Sequence, residues 1–372
     1  MKIIILKDNL KEGLIVSERS IGDTTNLPIL KNVLIKSFDS NIQLTATNLE
    51  LGVCVNISGK VIEEGSLSVP FDVLNAVISN IDSERINLET QGNTLHINTD
   101  NYDAKIQGIQ AEEFPLIPKI KNSDSYIEIN SDIFRNSLLQ IISAAQISEI
   151  RPEISGILLD FQLTILKLVA TDSFRLAEKT IQEKDFSTNI ETGFKIIIPL
   201  KTAQEILRIF GENEALRFHF DENQILIKTK TKELISRLIN GEYPDYKQII
   251  PQGTETEIII QKDRLMNAIK LVSSFSKRNN DIALKTKDSD KVLEVYSINQ
   301  QVGENNYLIP IKLQGKNLKE ISFNWRYLND GLKVITTKEV HMQLNGDAKP
   351  TVLKPSDSNS GYFYIVMPVK TS

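Results

Sequence analysis

A unit of about 125–130 residues recurs three times along the 372-residue chain, and this long repeat limits the possible folds more than any other feature. Four separate places carry it. The first is a strand running into a helix: Ile5-Leu6-Lys7-Asp8-Asn9-Leu10 resembles Glu128-Ile129-Asn130-Ser131-Asp132-Ile133-Phe134 and Ile259-Ile260-Gln261-Lys262-Asp263-Arg264-Leu265. Asp8, Asp132 and Asp263 stand at helix starts, where a carboxylate meets unpaired amides and the positive dipole end. Apolar residues follow two and six places later, as Leu10 and Leu14, Phe134 and Leu138, Leu265 and Ile269, which lays one apolar stripe along each helix. The second place matches Leu67-Ser68-Val69-Pro70-Phe71 with Ile196-Ile197-Ile198-Pro199-Leu200, and more loosely with Glu320-Ile321-Ser322-Phe323-Asn324. Proline suits the first helical turn because its missing N–H would go unpaired there. Apolar positions then fall at Leu74, Val77 and Ile78, at Ala203, Ile206 and Leu207, and at Leu328 and Leu332, with Gly331 breaking the third copy. The third place sets Thr45-Ala46-Thr47-Asn48-Leu49 against Val169-Ala170-Thr171-Asp172-Ser173, offset by 124. The fourth sets Glu113-Phe114-Pro115 against Glu242-Tyr243-Pro244, with Val366-Met367-Pro368 closing the last copy.

Each copy therefore reads as strands, a helix, more strands, a second helix and strands again, an α+β unit. Helices are expected at 7–20, 70–80, 131–146, 199–210, 262–278 and 324–338, with strand-period segments such as 41–45, 94–98, 225–228 and 292–296 between them. Polar breaks at 119–125 and 251–257 fit either surface loops or linkers, and their match to the repeat period favours linkers. The expected domains are 1–122, 123–253 and 254–372. The opening run Met1-Lys2-Ile3-Ile4-Ile5-Leu6 is too short for a signal-peptide core and reads as a first strand. No apolar run has the length of a membrane span.

Nothing in the sequence assembles a catalytic set. His96, His219 and His341 are isolated in strand-like runs without zinc-type spacing. Cys54 has no second cysteine to pair with and reads as a small core residue. That single cysteine favours a reducing compartment and a cytoplasmic location. There is no glycine-rich phosphate loop and no nucleophile elbow, and Glu112-Glu113 reads as a solvated turn. We expect a non-enzymatic binding protein with no cofactor and no metal. The net charge is −5, yet the six helical stretches carry +6 between them, which leaves −11 for the remainder. Such a chain can face a polyanion with one surface, although lysine and arginine are also ordinary helix formers.

Three repeats of this size and order resemble the bacterial sliding clamps, the beta subunits of DNA polymerase III. The resemblance spans the whole chain and rests on Leu27-Pro28-Ile29-Leu30, on Ala170-Thr171-Asp172-Ser173-Phe174-Arg175-Leu176-Ala177, on Asn240-Gly241-Glu242-Tyr243-Pro244-Asp245-Tyr246, and on Tyr364-Ile365-Val366-Met367-Pro368-Val369. It implies three clamp domains per chain, with helices lining the inner face of a ring and antiparallel sheets outside. Two chains would close head to tail as a homodimer around duplex DNA. Contacts to phosphates would be non-specific, which suits sliding. The DNA-facing candidates are Arg135, Arg151, Lys201, Arg208, Lys262, Arg264, Lys270, Lys277, Arg278 and Lys333.

The resemblance also implies an apolar pocket for a short Gln-Leu-x-Leu-Phe-like peptide. The matching positions are Ile154, Thr171, Ser173, Phe174, Arg175, Leu176, Pro244, Ile249, Ile365, Val366, Met367, Pro368 and Val369, with Met367 a deformable gate. Implied partners are the DNA polymerase III alpha subunit, other polymerases, a clamp loader and a second copy of the chain, with no membrane. Ile106 and Phe275 are the candidates for the dimer interface. The chain departs from its relatives at Gln248, where many have a basic residue, at Pro152 and Glu153, where some present tyrosines, and at Thr24, which replaces a basic residue. The competing readings are a repeated α+β enzyme acting in a groove, a clamp-fold interaction module without a replicative role, and a sequence-specific DNA binder. The last is opposed by the acidic balance and the lack of a basic recognition helix.

Overall fold

The computed structural model describes residues 1–22, 27–118, 120, 124–276, 278–287 and 291–369. Among these residues six α-helices form: α1 (Lys7–Ser17), α2 (Phe71–Asn80), α3 (Ser131–Ile141), α4 (Leu200–Ile209), α5 (Lys262–Val272) and α6 (Trp325–Lys333). Each lies inside an expected stretch and starts at the residue after a strand ends. Short 3-10 turns extend α1, α3 and α5 (Glu18–Ser20, Ile142–Ala144 and Ser273–Phe275). Most of the apolar stripes are buried as expected: Leu10, Leu14, Leu74, Ile78, Ala203, Ile206, Leu265, Ile269, Leu328 and Leu332 are each at most 1% exposed, whereas Val77 and Leu207 are half-buried at the edge of theirs. Burying one such leucine contributes about 1.5–3 kcal/mol. None of the six helices is long and apolar enough to cross a membrane.

The helix starts differ in detail from expectation. Pro70 is the last residue of the strand Gly65–Pro70 and the N-cap of α2, and Pro199 likewise ends the strand Phe194–Pro199. Both prolines close a sheet pairing, Asn32 with Pro70 and Gly156 with Pro199, at a strand end where a missing donor costs little. Asp8 and Asp263 lie one residue inside their helices, and neither α1 nor α5 has a side-chain cap. Their charges still favour the positive helix end. Asp132 turns its carboxylate to the Asn213 amide (3.2 Å), while Asn130 accepts from the Asp132 amide (2.8 Å) and Asn324 from the Arg326 amide (3.0 Å).

Gly331 does not break α6, which runs through to Lys333. A Cβ there would stand 2.4 Å from Tyr364 Cδ1, so the glycine lets a buried aromatic ring lie flat on the helix. Tyr364 then donates to the Tyr327 carbonyl at 2.8 Å.

The chain divides into two compact units, one of Met1–Asp132, Phe186–Ile190 and Gln204–Leu238, the other of Ile133–Asp185, Glu191–Ala203 and Ile239–Ser372. These do not follow the repeats, because sheets run across repeat junctions. Each repeat supplies one set of four strands and one set of five, all antiparallel. In the first unit, Lys232–Arg237 of the second repeat pairs with Leu51–Ile57 of the first, Lys232 opposite Val55 and Ser236 opposite Leu51, merging five strands with four. In the second unit, Tyr362–Val366 of the third repeat pairs with Arg175–Gln182 of the second, Ile365 opposite Leu176, and again merges five with four.

Two sets remain unmerged, the first repeat's five strands, edged by Asp103–Gln107, and the third repeat's four, edged by Gly303–Pro310. These edges are the repeat equivalents of the joining strands. Asp103 precedes Lys232 by 129 residues, as Arg237 precedes Val366; Arg175 follows Leu51 by 124, and Gly303 follows Arg175 by 128.

Candidate partner-peptide site

The second joint is built on a tight turn, residues 171–175. Thr171 Oγ1 donates to the Arg175 carbonyl (2.7 Å) and accepts from the Ser173 amide (3.3 Å). Asp172 Oδ1 accepts from the amides of Phe174 and Arg175 (3.0 Å each), and Ser173 takes a positive φ of 77°. The first repeat makes the same turn at 47–51. Thr47 Oγ1 bonds the Leu51 carbonyl (2.9 Å) and the Leu49 amide (3.1 Å), Asn48 Oδ1 takes the next two amides, and Leu49 has φ 75°. A hydroxyl followed by a short carboxylate or amide is the local pattern that closes such turns. The matched sequences at 45–49 and 169–173 thus mark a common backbone device.

The two copies diverge at the residue that closes the turn, Leu51 in one and Arg175 in the other. Arg175 continues into a charged cluster, its Nε on Asp172 Oδ2 (2.8 Å) and its Nη1 on Asp330 Oδ2 of α6 (2.6 Å). The guanidinium also lies over the Tyr327 ring, 4.4 Å from its centroid, and Phe174 stacks with the same ring, their centroids 6.3 Å apart. Burial disfavours the Arg175 charge, but Tyr364, Asp172 and Asp330 outweigh it and hold the group above the ordinary arginine range. Arg175 therefore fastens the turn to α6.

Strand alternation sorts the remaining residues onto two faces. Leu176 and Ile365, opposite each other in the joint, belong to one apolar cluster with Leu158, Val169, Ile197, Val352 and Tyr246. Ile239, Tyr243, Ile250 and Phe363 pack on it half-buried. Val366 pairs with Arg175 one step along; it is fully buried and belongs to the opposite, helix-bearing face with Tyr364. Ile154 and Thr171 are buried, Pro244, Met367, Pro368 and Val369 half-buried, and Ser173, Phe174 and Ile249 exposed, Phe174 by 59%. The Met367 amide donates to the Phe174 carbonyl (2.8 Å) and the Val369 amide to the Ser322 carbonyl (2.8 Å), which fixes the terminal segment across the joint.

Tyr246 anchors the segment after Pro244. Its hydroxyl donates to Glu178 (2.7 Å), a buried carboxylate that also takes Lys167 Nζ (2.9 Å). Burial, and then Glu178, push the phenol well above its usual range, so it remains the donor. Leu158, Val352 and Tyr243 are not among the residues expected from the sequence. The match of Glu113-Phe114-Pro115 with Glu242-Tyr243-Pro244 marks Tyr243, whereas Leu158 and Val352 sit in strands with no distinguishing repeat signal.

The expected DNA-facing residues are scattered in circumstance. Lys201, Arg208, Arg264, Lys270, Arg278 and Lys333 are exposed, with Arg208 paired to Glu205 (2.7 Å). On α5, Lys270 occupies the face opposite the buried Leu265, Ala268, Ile269 and Val272, and Arg264 lies on the flank of that buried face. Lys262 is half-buried and donates to the Ile335 carbonyl (2.7 Å), and Arg135 is half-buried on α3. Arg151 reaches Glu153 (3.2 Å) and Ser173 (3.3 Å), beside the turn at 171–175. Lys277 and Thr24 lie outside the described residues. Ile106 is 5% exposed in the edge strand Asp103–Gln107, and Phe275 is half-buried with its ring edge 3.6 Å from the Cβ position of Gly303. Gln248 donates to Asp245 (3.0 Å). His96, His219 and His341 all lie in strands, and Cys54 is half-buried beside Thr45 where a core position was expected. Among the described residues no three His, Cys, Asp or Glu side chains gather as a metal site.

Successive repeats that share a sheet at every internal joint are the construction of a clamp fold, and the chain is an α+β protein of that class. Family models for the N-terminal, central and C-terminal domains of the DNA polymerase III beta subunit match residues 1–118, 128–245 and 247–370. The chain belongs to the DNA polymerase III beta subunit family. It is 29% identical to a beta sliding clamp of Staphylococcus aureus over 383 residues, covering 100% of both chains. To that of Synechococcus elongatus it is 27% identical, covering 100% of this chain and 99% of the other. Among solved structures, the Bacillus subtilis DNA polymerase sliding clamp superposes with a TM-score of 0.94 at 25% identity, and the Thermotoga maritima beta subunit with 0.89 at 26%, each with both chains fully covered.

Proposed function

We propose that this sliding clamp works as a homodimeric ring that encircles duplex DNA and holds replicative polymerase to it through the groove at the second joint. Its three domains would be 1–122, 123–253 and 254–372. The observation that carries the reading is the pair of unmerged edges. Asp103–Gln107 and Gly303–Pro310 are the repeat equivalents of strands that join at both internal junctions, so the third copy of the joint is available between two chains. A heterologous contact of this kind closes into a ring when the rotation permits. The Gly303–Pro310 edge exposes Tyr307 and Leu308 by 38% and 50%, which suits burial against a second copy. Ile106, in its edge strand, and Phe275, in the 3-10 turn Ser273–Phe275, would support that contact.

DNA would pass the exposed cations of the helices, Lys201, Arg264, Lys270 and Lys333 foremost. Their attraction is screened and has no register, so the ring can slide. The groove would take the leucine and phenylalanine side chains of a partner peptide against the half-buried Tyr243, Ile250 and Phe363, which pack on the buried cluster of Leu176 and Ile365, with Met367 adjusting and Arg175 positioning the turn. The alpha subunit, other polymerases and the clamp loader would compete for it. The chain acts by tethering and catalyses nothing, and the cytoplasm is where this work is done.

The test is solution mass together with retention on circular and linearised duplex DNA after loading. A dimer of about 84 kDa, twice the 42.0 kDa chain, kept on circles and lost from free ends, supports a topological link. Equal release from both would refute it. A clamp-fold module without a replicative role predicts instead a chain that neither stays on circles nor binds the polymerase peptide.

A further inference from the structure

The second-repeat sheet carries a cavity on the face away from its helix-bearing side. Its volume is about 610 Å³, and it is lined by Asp160, Gln162, Leu163, Phe194, Lys195 and Lys247, among others. It belongs to the same sheet face as the groove. Lys195 stands opposite Asp160, two residues along from Ile197 opposite Leu158, which are members of the groove's apolar cluster. Lys247 follows Tyr246, another member, in the 3-10 turn Tyr246–Ile249. The two concavities are therefore neighbours along one set of strands.

The charges around the cavity are unevenly satisfied. Lys167 is held by Glu178 (2.9 Å), and the buried Asp160 is turned to Gln162 Nε2 (2.8 Å). Lys195 and Lys247 are exposed, and among the described residues neither has a carboxylate within ion-pair distance. An aromatic and aliphatic wall with two uncommitted cations at its mouth suits a carboxylate carried on a short side chain.

We propose that this cavity receives an acidic pair from the same partner chain whose apolar anchor occupies the groove. The inference rests on the groove reading and extends it. Asp160 lies four residues along the strands from the row of Leu176 and Ile365, about 13 Å, and two strands across from Leu176, about 10 Å, which makes about 16 Å in all. An extended peptide covers that span with about five residues of its own, so the acidic pair lies about five positions from the leucine anchor.

The experiment compares fluorescent peptides on the full-length chain by anisotropy. One carries only the Gln-Leu-x-Leu-Phe core with neutral flanks; two others add Asp-Asp about five positions before or after the core. One acidic extension should tighten binding about three- to tenfold at low salt, as expected for two exposed ion pairs, and the gain should shrink as salt rises. In the Lys195→Ala, Lys247→Ala double variant the gain should vanish while the core peptide binds as before. Both lysines are exposed, so thermal unfolding of the variant should match the parent. No gain from either extension, or a gain that survives in the variant, overturns the cavity proposal and leaves the groove standing. Failure of the core peptide itself to bind overturns both.

Discussion

Replacing Gly331 with alanine sets two well-sized effects against each other. Helix propensity favours alanine over glycine in a helix interior by about 1 kcal/mol. The added Cβ, however, would stand 2.4 Å from Tyr364 Cδ1 and 2.7 Å from both Cγ and Cε1. Ordinary carbon contacts lie at about 3.5–4.0 Å, so the ring must retreat by about 1 Å. Tyr364 has no exposed surface and is held by the Tyr327 carbonyl, which leaves no direction for retreat without loss. Overpacking of this sort costs about 1–3 kcal/mol, so Gly331→Ala should lie between neutral and about 2 kcal/mol destabilising. In a Tyr364→Ala background the clash is gone, and the same substitution should stabilise by about 1 kcal/mol. The sign should therefore invert between backgrounds, with a coupling of about 1–3 kcal/mol. Urea unfolding midpoints of the four proteins measure it. Equal stabilisation in both backgrounds would refute the reasoning, because it would mean that the ring has room to spare.

Arg175→Met should cost about 3–5 kcal/mol and weaken peptide binding, since Asp172, 2% exposed at its side chain, would keep its charge without its partner; denaturation and peptide titration of one preparation read both. Tyr307→Lys with Leu308→Lys should convert the dimer to monomer by light scattering while leaving each chain folded, and a persistent dimer would place the interface elsewhere. The pH dependence should have a contribution from Glu294. Burial opposes its charge, but Asn306, Lys287 and Lys285 hold the carboxyl below the ordinary glutamate range. A depressed folded-state pKa gives stability that is complete above the unfolded value of about 4.3 and fades as pH falls through the folded one. Thermal midpoints at pH 7 and pH 4 should thus differ less in Glu294→Gln than in the parent chain.

Much of this fold can be read from the chain because its local signals repeat. Asp8, Asp132 and Asp263 locate three helix starts although none caps in the expected way, and Thr47 and Thr171 locate a turn that both copies keep. Gly331 misleads for a physical reason: its meaning lies in Tyr364, 33 residues away, and local reading sees only a poor helix former. The site is less legible for the same cause. Arg175 reads as a ligand contact, and its bond to Asp330, 155 residues on, has no local signal. Contiguous runs such as Ile365-Val366-Met367 look like a single wall, yet alternation sends Val366 to the other face. Leu158 and Val352 come to the groove through pairings that no single segment announces.

The twin turns at 47–51 and 171–175 show one backbone form serving two surroundings. In the first, Asn48 closes the loop and Leu51 starts a strand, so every bond serves the turn itself. In the second, aspartate and arginine stand in those two places, and the loop keeps its form while reaching Asp330. The aspartate and the arginine are what carry the second turn beyond itself. In a chain carrying Asp172→Asn with Arg175→Leu those two places hold the residues of the first turn, and its folding would show that the turn's form does not depend on the link to Asp330.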